Sequence, residues 1–268
     1  MVKKQETAVV EKKGASVIPF GTDGIGINAA DIILPSVSLR QNSVRKDFMK
    51  PFKPGDMIMR PENSLIGSLG KAAHFVPISI ERCYRICDVT KGEARTIGYE
   101  PWGSVDLAPE EQRGEIRIRR DRAYVAHVLF RENLGNQLAM FERMESGETV
   151  DPSDFTLPCR ITFTRASFNA GKILNTHFEL SRTVKQSPAA ITFALKSIEF
   201  TNDKGTWLGF AVEKVKETDM KYTPKELIAC CNFWVTSMAN ASQFKAHGDD
   251  DEVAGAESHV DAAEETRF

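Results

Sequence analysis

The chain has 268 residues, 41% hydrophobic and 27% charged, with a net charge of −2. That balance belongs to a folded protein with a sizeable core, not to a disordered or fibrous chain. No apolar run approaches the ~20 residues a helical membrane span needs.

The charge is unevenly spread. Residues 246–268 hold eight acidic side chains and one arginine, −7, and residues 1–245 hold 34 basic and 29 acidic, +5. A mildly basic body with a detachable-looking acidic tail is more informative than the net charge. Met1 to Lys13 is charged and lacks the apolar centre of a secretory leader, so a cytoplasmic protein is expected. Five cysteines, an odd number without paired spacing, fit reduced thiols.

Residues 1–30 read as a flexible segment. Gly24-Ile25-Gly26 lacks the preceding strand and third glycine of a dinucleotide loop. Residues 31–245 read as one mainly β domain. Ile32, Ile33 and Leu34 form an apolar patch, and Asp47 to Gly70, rich in Pro, Gly and charge, reads as a loop or embellishment. His74 to Val89 alternates as a strand, with Val76, Ile78, Ile80, Tyr84 and Ile86 on one face and Glu81, Cys83, Arg85 and Cys87 on the other. Thr90 to Arg113 reads as a loop carrying Tyr99 and Trp102. The next strand runs over about 115–131. It is apolar on both sides from Arg122 onward, the pattern of a strand covered on both faces. Leu134 to Glu145 reads as a short helix or a further strand.

From Phe155 to Val215 the pattern is strand, helix, strand, hairpin, strand. Leu157, Cys159, Ile161 and Phe163 alternate with polar residues. Ser167 is placed to cap a helix whose Ala170, Ile173, Leu174, His177 and Phe178 form one stripe. Between Ala189 and Thr201 the apolar phase changes after Leu195, which predicts a bulge near Lys196-Ser197. Asn202-Asp203-Lys204-Gly205 signals a turn, and Thr206 to Val215 returns as a strand. Strand-strand-strand-helix-strand-strand is the order of an OB-fold, a five-stranded barrel with one inserted helix. Thr223-Pro224-Lys225-Glu226 opens a C-terminal helix with Leu227, Cys231, Trp234 and Met238 on one stripe.

Catalytic and metal motifs are not found. The five histidines have no ligand-spaced partner, and Cys83 and Cys87 lack two further ligands for zinc. No phosphate loop or nucleophile elbow is present. A binding protein without enzymatic activity, cofactor or metal is therefore expected. With the apolar parity of each strand turned inward, Arg85, Arg117, Arg119, Arg160, Lys196 and Trp207 point outward, and Tyr124 joins them as an aromatic candidate. Cations that neutralise phosphate beside rings that stack on unpaired bases suit single-stranded nucleic acid.

The tail, Asp261-Ala262-Ala263-Glu264-Glu265-Thr266-Arg267-Phe268 at its end, resembles that of phage and bacterial single-stranded DNA-binding proteins, many of which close on an acidic disordered segment with a terminal phenylalanine. The resemblance covers about twenty residues and the strand order of the body. It implies a protein that coats single-stranded DNA in replication or recombination, in the bacterial cytoplasm if phage-encoded, and possible homo-oligomers. It also implies a partner-binding, DNA-competing tail in which Asp249, Asp250, Asp251, Glu252 and Phe268 take part. The alternatives are a virion or protein-interaction component and an RNA-binding or strand-annealing protein.

Overall fold

The structure is a computed structural model and describes residues 33–42, 49–91, 94–103, 110–149, 157–203, 205–215, 224–237 and 245–246. Twelve strands and three α-helices are defined among them. The strands are β1 (Ile33–Leu34), β2 (Ser36–Leu39), β3 (Met57–Arg60), β4 (Ser64–Gly67), β5 (Ala73–Asp88), β6 (Arg95–Pro101), β7 (Glu110–Arg113), β8 (Ile116–Phe130), β9 (Cys159–Thr164), β10 (Phe193–Asn202), β11 (Gly205–Lys214) and β12 (Lys245–Ala246). The helices are α1 (Arg131–Glu145), α2 (Phe168–Thr183) and α3 (Pro224–Ser237). The chain is thus mainly β, as its alternating patterns predict. Of the ends expected to be flexible or disordered, 1–30 and 246–268, all but Ala246 lie outside the described residues, and Ala246 is paired with Leu34 in β12.

One ten-stranded sheet carries the fold, in the order β11-β10-β5-β8-β9-β2-β3-β4, with β6 branching from β5 and β7 from β8. Within it lie the five expected strands, with α2 between β9 and β10. They do not close into a five-stranded barrel: among the described residues no ladder joins β9 to β11. The reason lies at the two edges. The outer edge of β9 is taken by β2, which runs parallel to it at Ser36 and Arg160, where the Arg160 N–H donates to the Pro35 carbonyl at 2.8 Å. The free edge of β11 is met by side chains. The Gln41 amide bonds both ways with Leu208, accepting from its N–H at 3.1 Å and donating to its carbonyl at 3.0 Å. The Phe210 N–H donates to the Ser167 hydroxyl at 2.8 Å. Ser167 does stand ahead of α2, but its hydroxyl serves β11 and makes no cap. An edge strand's backbone must find partners somewhere, and here polar side chains supply them.

The inner face of the sheet holds the main core. Phe75, Tyr124, Ala126, Val128, Ile161, Phe163, Phe193, Leu195, Phe210 and Val212 cluster there. Ala170 and Leu174 of α2 close it over. The helix comes close because residue 171 is glycine: a Cβ there would sit 2.6 Å from the Tyr124 Cβ. Ile173, expected in the buried stripe, is 49% exposed. On the outer face, at the opposite end of β5 and β8, α1 and α3 cover Val76, Ile78 and Leu129 with Leu134, Cys230, Cys231 and Trp234. The Trp234 indole donates to the Gln137 side chain at 3.2 Å, which joins α3 to α1. Leu227 and Met238, the ends of the predicted α3 stripe, have side chains outside the described set. Covering from both sides explains why Ala123–Phe130 is apolar but for His127.

Two phase expectations need correction. The register shift is not at Lys196-Ser197, where β10 and β11 pair without a break from Phe193–Lys214 to Asn202–Gly205. Shifts occur instead between Pro77 and Ser79 where β5 pairs with β8, between Ile86 and Cys87 where it pairs with β6, and between Met57 and Ile58 in the β3–β4 pair. Proline cannot donate to a ladder, so a bulge beside it costs little pairing. The shift at Pro77–Ser79 puts Val76 and Ile78 under α1 and α3, and turns Tyr84 and Ile86 to the other face. Ile198 and Phe200 break the parity of β10 because they face outward, and Phe200 has a partner there. The segment 90–113 is not all loop. It supplies β6 and β7, whose mostly polar, exposed residues leave no apolar alternation to read. The described part of Asp47–Gly70, residues 49–70, includes the β3–β4 hairpin.

Candidate nucleic-acid interface

Strand register fixes which predicted residues share a surface. Arg85 lies opposite Asp121, and Arg160 opposite His127, all on the outer face. Arg117 and Arg119 share that parity on β8, as do Lys196 and Trp207 on the hairpin. Six of the seven body candidates therefore lie on one face, as the parity rule predicts.

Their environments differ from a row of solvated cations. Asp121 gathers three guanidiniums. Arg85 donates to it at 3.1 Å, Arg119 twice at 3.1 and 3.3 Å, and Arg165 lies at 3.4 Å. Arg85 is buried, and Arg119 is half-buried. Arg165 holds a left-handed φ of 48°, uncommon for a residue with a Cβ, at the turn from β9 into α2. Arg160 is buried too, its guanidinium 4.2 Å from the centre of the Tyr99 ring. That ring crosses the sheet from β6, with its hydroxyl 3.5 Å from the Thr162 hydroxyl. Arg117 is exposed, 3.7 Å from Glu110, and donates to the Val89 carbonyl at 3.3 Å. Lys196 pairs with Glu213 on the neighbouring strand. Trp207 does not stand over open ground. Phe200 faces it across the hairpin, the rings parallel within 10° and 6.4 Å apart. A Cβ at residue 209 would lie 2.7 Å from the Phe200 ring, so glycine admits that ring to the sheet surface. Both rings remain partly accessible.

Tyr124 is the one body residue assigned to the wrong face. It is 4% exposed and packs at 5.0 Å against the Phe168 ring in the inner core. Its neighbours Arg122 and Ala123 do not reveal this, because the apolar run from 123 to 130 has no parity. The tail candidates Asp249, Asp250, Asp251, Glu252 and Phe268 lie outside the described residues. Sequence reading also missed Tyr99 and Arg165. Neither sits in an alternating stretch, and only the Tyr99 aromatic in a polar segment gave a hint.

Below Arg160 the face becomes dry. His127 is buried, and its Nδ1 lies 2.9 Å from the Ser79 hydroxyl. Burial, with the nearby Arg160 charge second, pushes its pKa down to about 3. The imidazole is therefore neutral at neutral pH and adds nothing to the positive surface. Cys83 is buried with its thiol pushed up to about 12, mainly by burial and then by Glu81, so it is an unreactive thiol rather than a nucleophile. Among the described residues no group of three or more His, Cys, Asp or Glu is placed to hold a metal ion, and no helix is long and apolar enough to cross a membrane.

Of the guanidiniums on this face, those of Arg117 and Arg119 reach solvent and can meet phosphate, and the partly open Phe200 and Trp207 rings, on the same face by parity, can stack on bases. No protein-family model, curated protein or solved structure matches this chain.

Proposed function

We propose that the chain is a single-stranded DNA-binding protein built on an OB-like barrel whose closing ladder is replaced by side chains. The order β11-β10-β5-β8-β9 with α2 after β9 supports this. OB-folds bind oligonucleotides on their second and third strands and on the loops between strands one and two and between strands four and five. The counterparts here are β8, β9, the β6–β7 connection and the β10–β11 turn. The observation that carries the reading is the partly open Phe200–Trp207 stack on the face that bears Arg117 and Arg119. Bases stack on the rings without sequence preference, and the arginines take the phosphates. The protein acts stoichiometrically, with no chemical step and no cofactor. Its setting is DNA replication or recombination, in the host cytoplasm if the chain is phage-encoded. The −7 tail competes with DNA for the basic face and recruits other replication proteins through Phe268.

Trp207→Ala tests it. Anisotropy titration with a labelled oligonucleotide should show binding weaker by about 1–3 kcal/mol, with the far-UV spectrum and melting retained. Tryptophan quenching by DNA should shrink in parallel. Wild-type affinity in the variant would remove the stacking platform from the account.

A further inference from the structure

Beyond β9, the strands β6, β5, β8 and β7 form a four-stranded section whose inner face lies outside the main core. Tyr84, Ile86 and Ile118 line it, and Trp102 packs on them from the end of β6. Tyr84 is stacked on the indole at 4.6 Å and 8°, and the Arg82 guanidinium lies 3.4 Å from the ring centre. Two groups that close to one ring centre must occupy opposite faces, so Trp102 is held between a tyrosine and an arginine. A second guanidinium, from Arg122, lies 5.6 Å away. Next along the same face Phe168 packs on Tyr124, and the Lys172 ammonium is 5.4 Å from the Phe168 ring. Arg82 is the strand partner of Tyr124, and Arg122 of Tyr84, so the three cations and two rings are contiguous.

These cations differ from those of the outer face. Arg85, Arg117, Arg119, Arg165 and Lys196 all sit on carboxylates. Arg82, Arg122 and Lys172 are exposed, and among the described residues none of them has an ion-pair partner. Nearby Glu100 is engaged by Arg113 and Arg120. Three uncompensated positive charges around two aromatic rings match a chain of phosphates carrying stackable bases.

We propose that this inner face is a second contact site for a single DNA strand, on the opposite side of the sheet from the outer one. Arg82, Arg122 and Lys172 take phosphates. A base replaces the Arg82 guanidinium over Trp102, which frees that arginine for the backbone. A strand held at both sites passes round the edge of the β6-β5-β8-β7 section, so the length of DNA covered exceeds what one face accommodates. The inference rests on the single-strand reading above.

The full chain and labelled oligothymidylate test it, by anisotropy over a range of salt. Single-strand binding loses about 0.7 in log–log salt slope per phosphate contact removed. Arg82→Gln with Arg122→Gln should therefore flatten the slope by about 1.4 and weaken binding roughly 10–25-fold at 0.1 M salt. Lys172→Gln alone should give half that change in slope, and it serves if the double variant is unstable. In a Trp207→Phe background DNA-dependent quenching should persist, because Trp102 reports and Trp234 is buried. Trp102→Phe in that background should abolish it. Wild-type binding with unchanged slopes in the variants would overturn the second site and leave the outer face intact. Loss of all single-strand binding in the wild type would overturn both. Saturable binding of a 249–268 peptide at this face, with no oligonucleotide binding, would overturn the proposal by assigning the cations to carboxylates.

Discussion

Tyr124→Ala should destabilise the protein by about 3–5 kcal/mol, the range for removing a large buried aromatic. The ring is buried on the inner face, seated on Phe168 and against the backbone of α2 at Gly171. Its loss leaves a cavity beneath a helix that approaches closely and has few ways to collapse. Gly171→Ala attacks the same contact from the other side. In an exposed helix that change gains up to about 1 kcal/mol, but here the added methyl meets Tyr124 at 2.6 Å. The net result should be a loss of about 1–3 kcal/mol through overpacking. Tyr124→Phe keeps the packing and should stay within about 0.5 kcal/mol of wild type. Urea unfolding at fixed pH measures all three. A Tyr124→Ala protein of wild-type stability would mean that the tyrosine is not core, and the outward position expected from sequence would be restored.

His127 should make the protein acid-sensitive below pH 6.5. Its pKa falls from 6.5 to about 3, first because burial penalises the charged imidazolium and second because Arg160 repels it. The folded state stays neutral while the unfolded state binds a proton below 6.5. This contribution to stability is therefore fully present above pH 6.5 and is lost as pH falls toward 3. Each pH unit inside that window removes about 1.4 kcal/mol, so roughly 2–3 kcal/mol is gone by pH 4.5. NMR titration of the imidazole gives the direct reading. His127 should remain neutral at pH 5, and a midpoint near 6.5 would show that the Ser79–His127–Arg160 row is wet rather than buried.

What could be read from the sequence follows from where periodicity is unbroken. β9, α2, the β10–β11 hairpin and α3 have clear periods or capping and turn signals, and each is present close to its expected bounds. The outward arginines were placed by parity alone, and register puts them on one face. Three things broke the method. A bulge at Pro77–Ser79 reverses parity within one strand, so Val76 and Tyr84 serve different cores. A strand buried on both sides has no parity at all, which misplaced Tyr124. The open edge of β11 is met by Gln41 and Ser167, polar residues with no local pattern that act across more than 40 positions. Burial of Arg85 and Arg160 was also beyond reach, because what engages them, Asp121 and Tyr99, is brought there by tertiary structure.

Single-strand preference is the property on which the functional reading depends. Stacking on Trp207 and Phe200 needs unpaired bases, whereas attraction to arginines does not distinguish one strand from two. The decisive measurement is a competition titration of the full chain bound to a labelled single strand, with unlabelled single-stranded and duplex DNA of equal length, at 50 and 200 mM salt. Single-stranded DNA should displace the label at much lower concentration than duplex at both salts, with affinity falling as salt rises. Equal competition by the two forms, or no saturable binding at 50 mM salt, would contradict it.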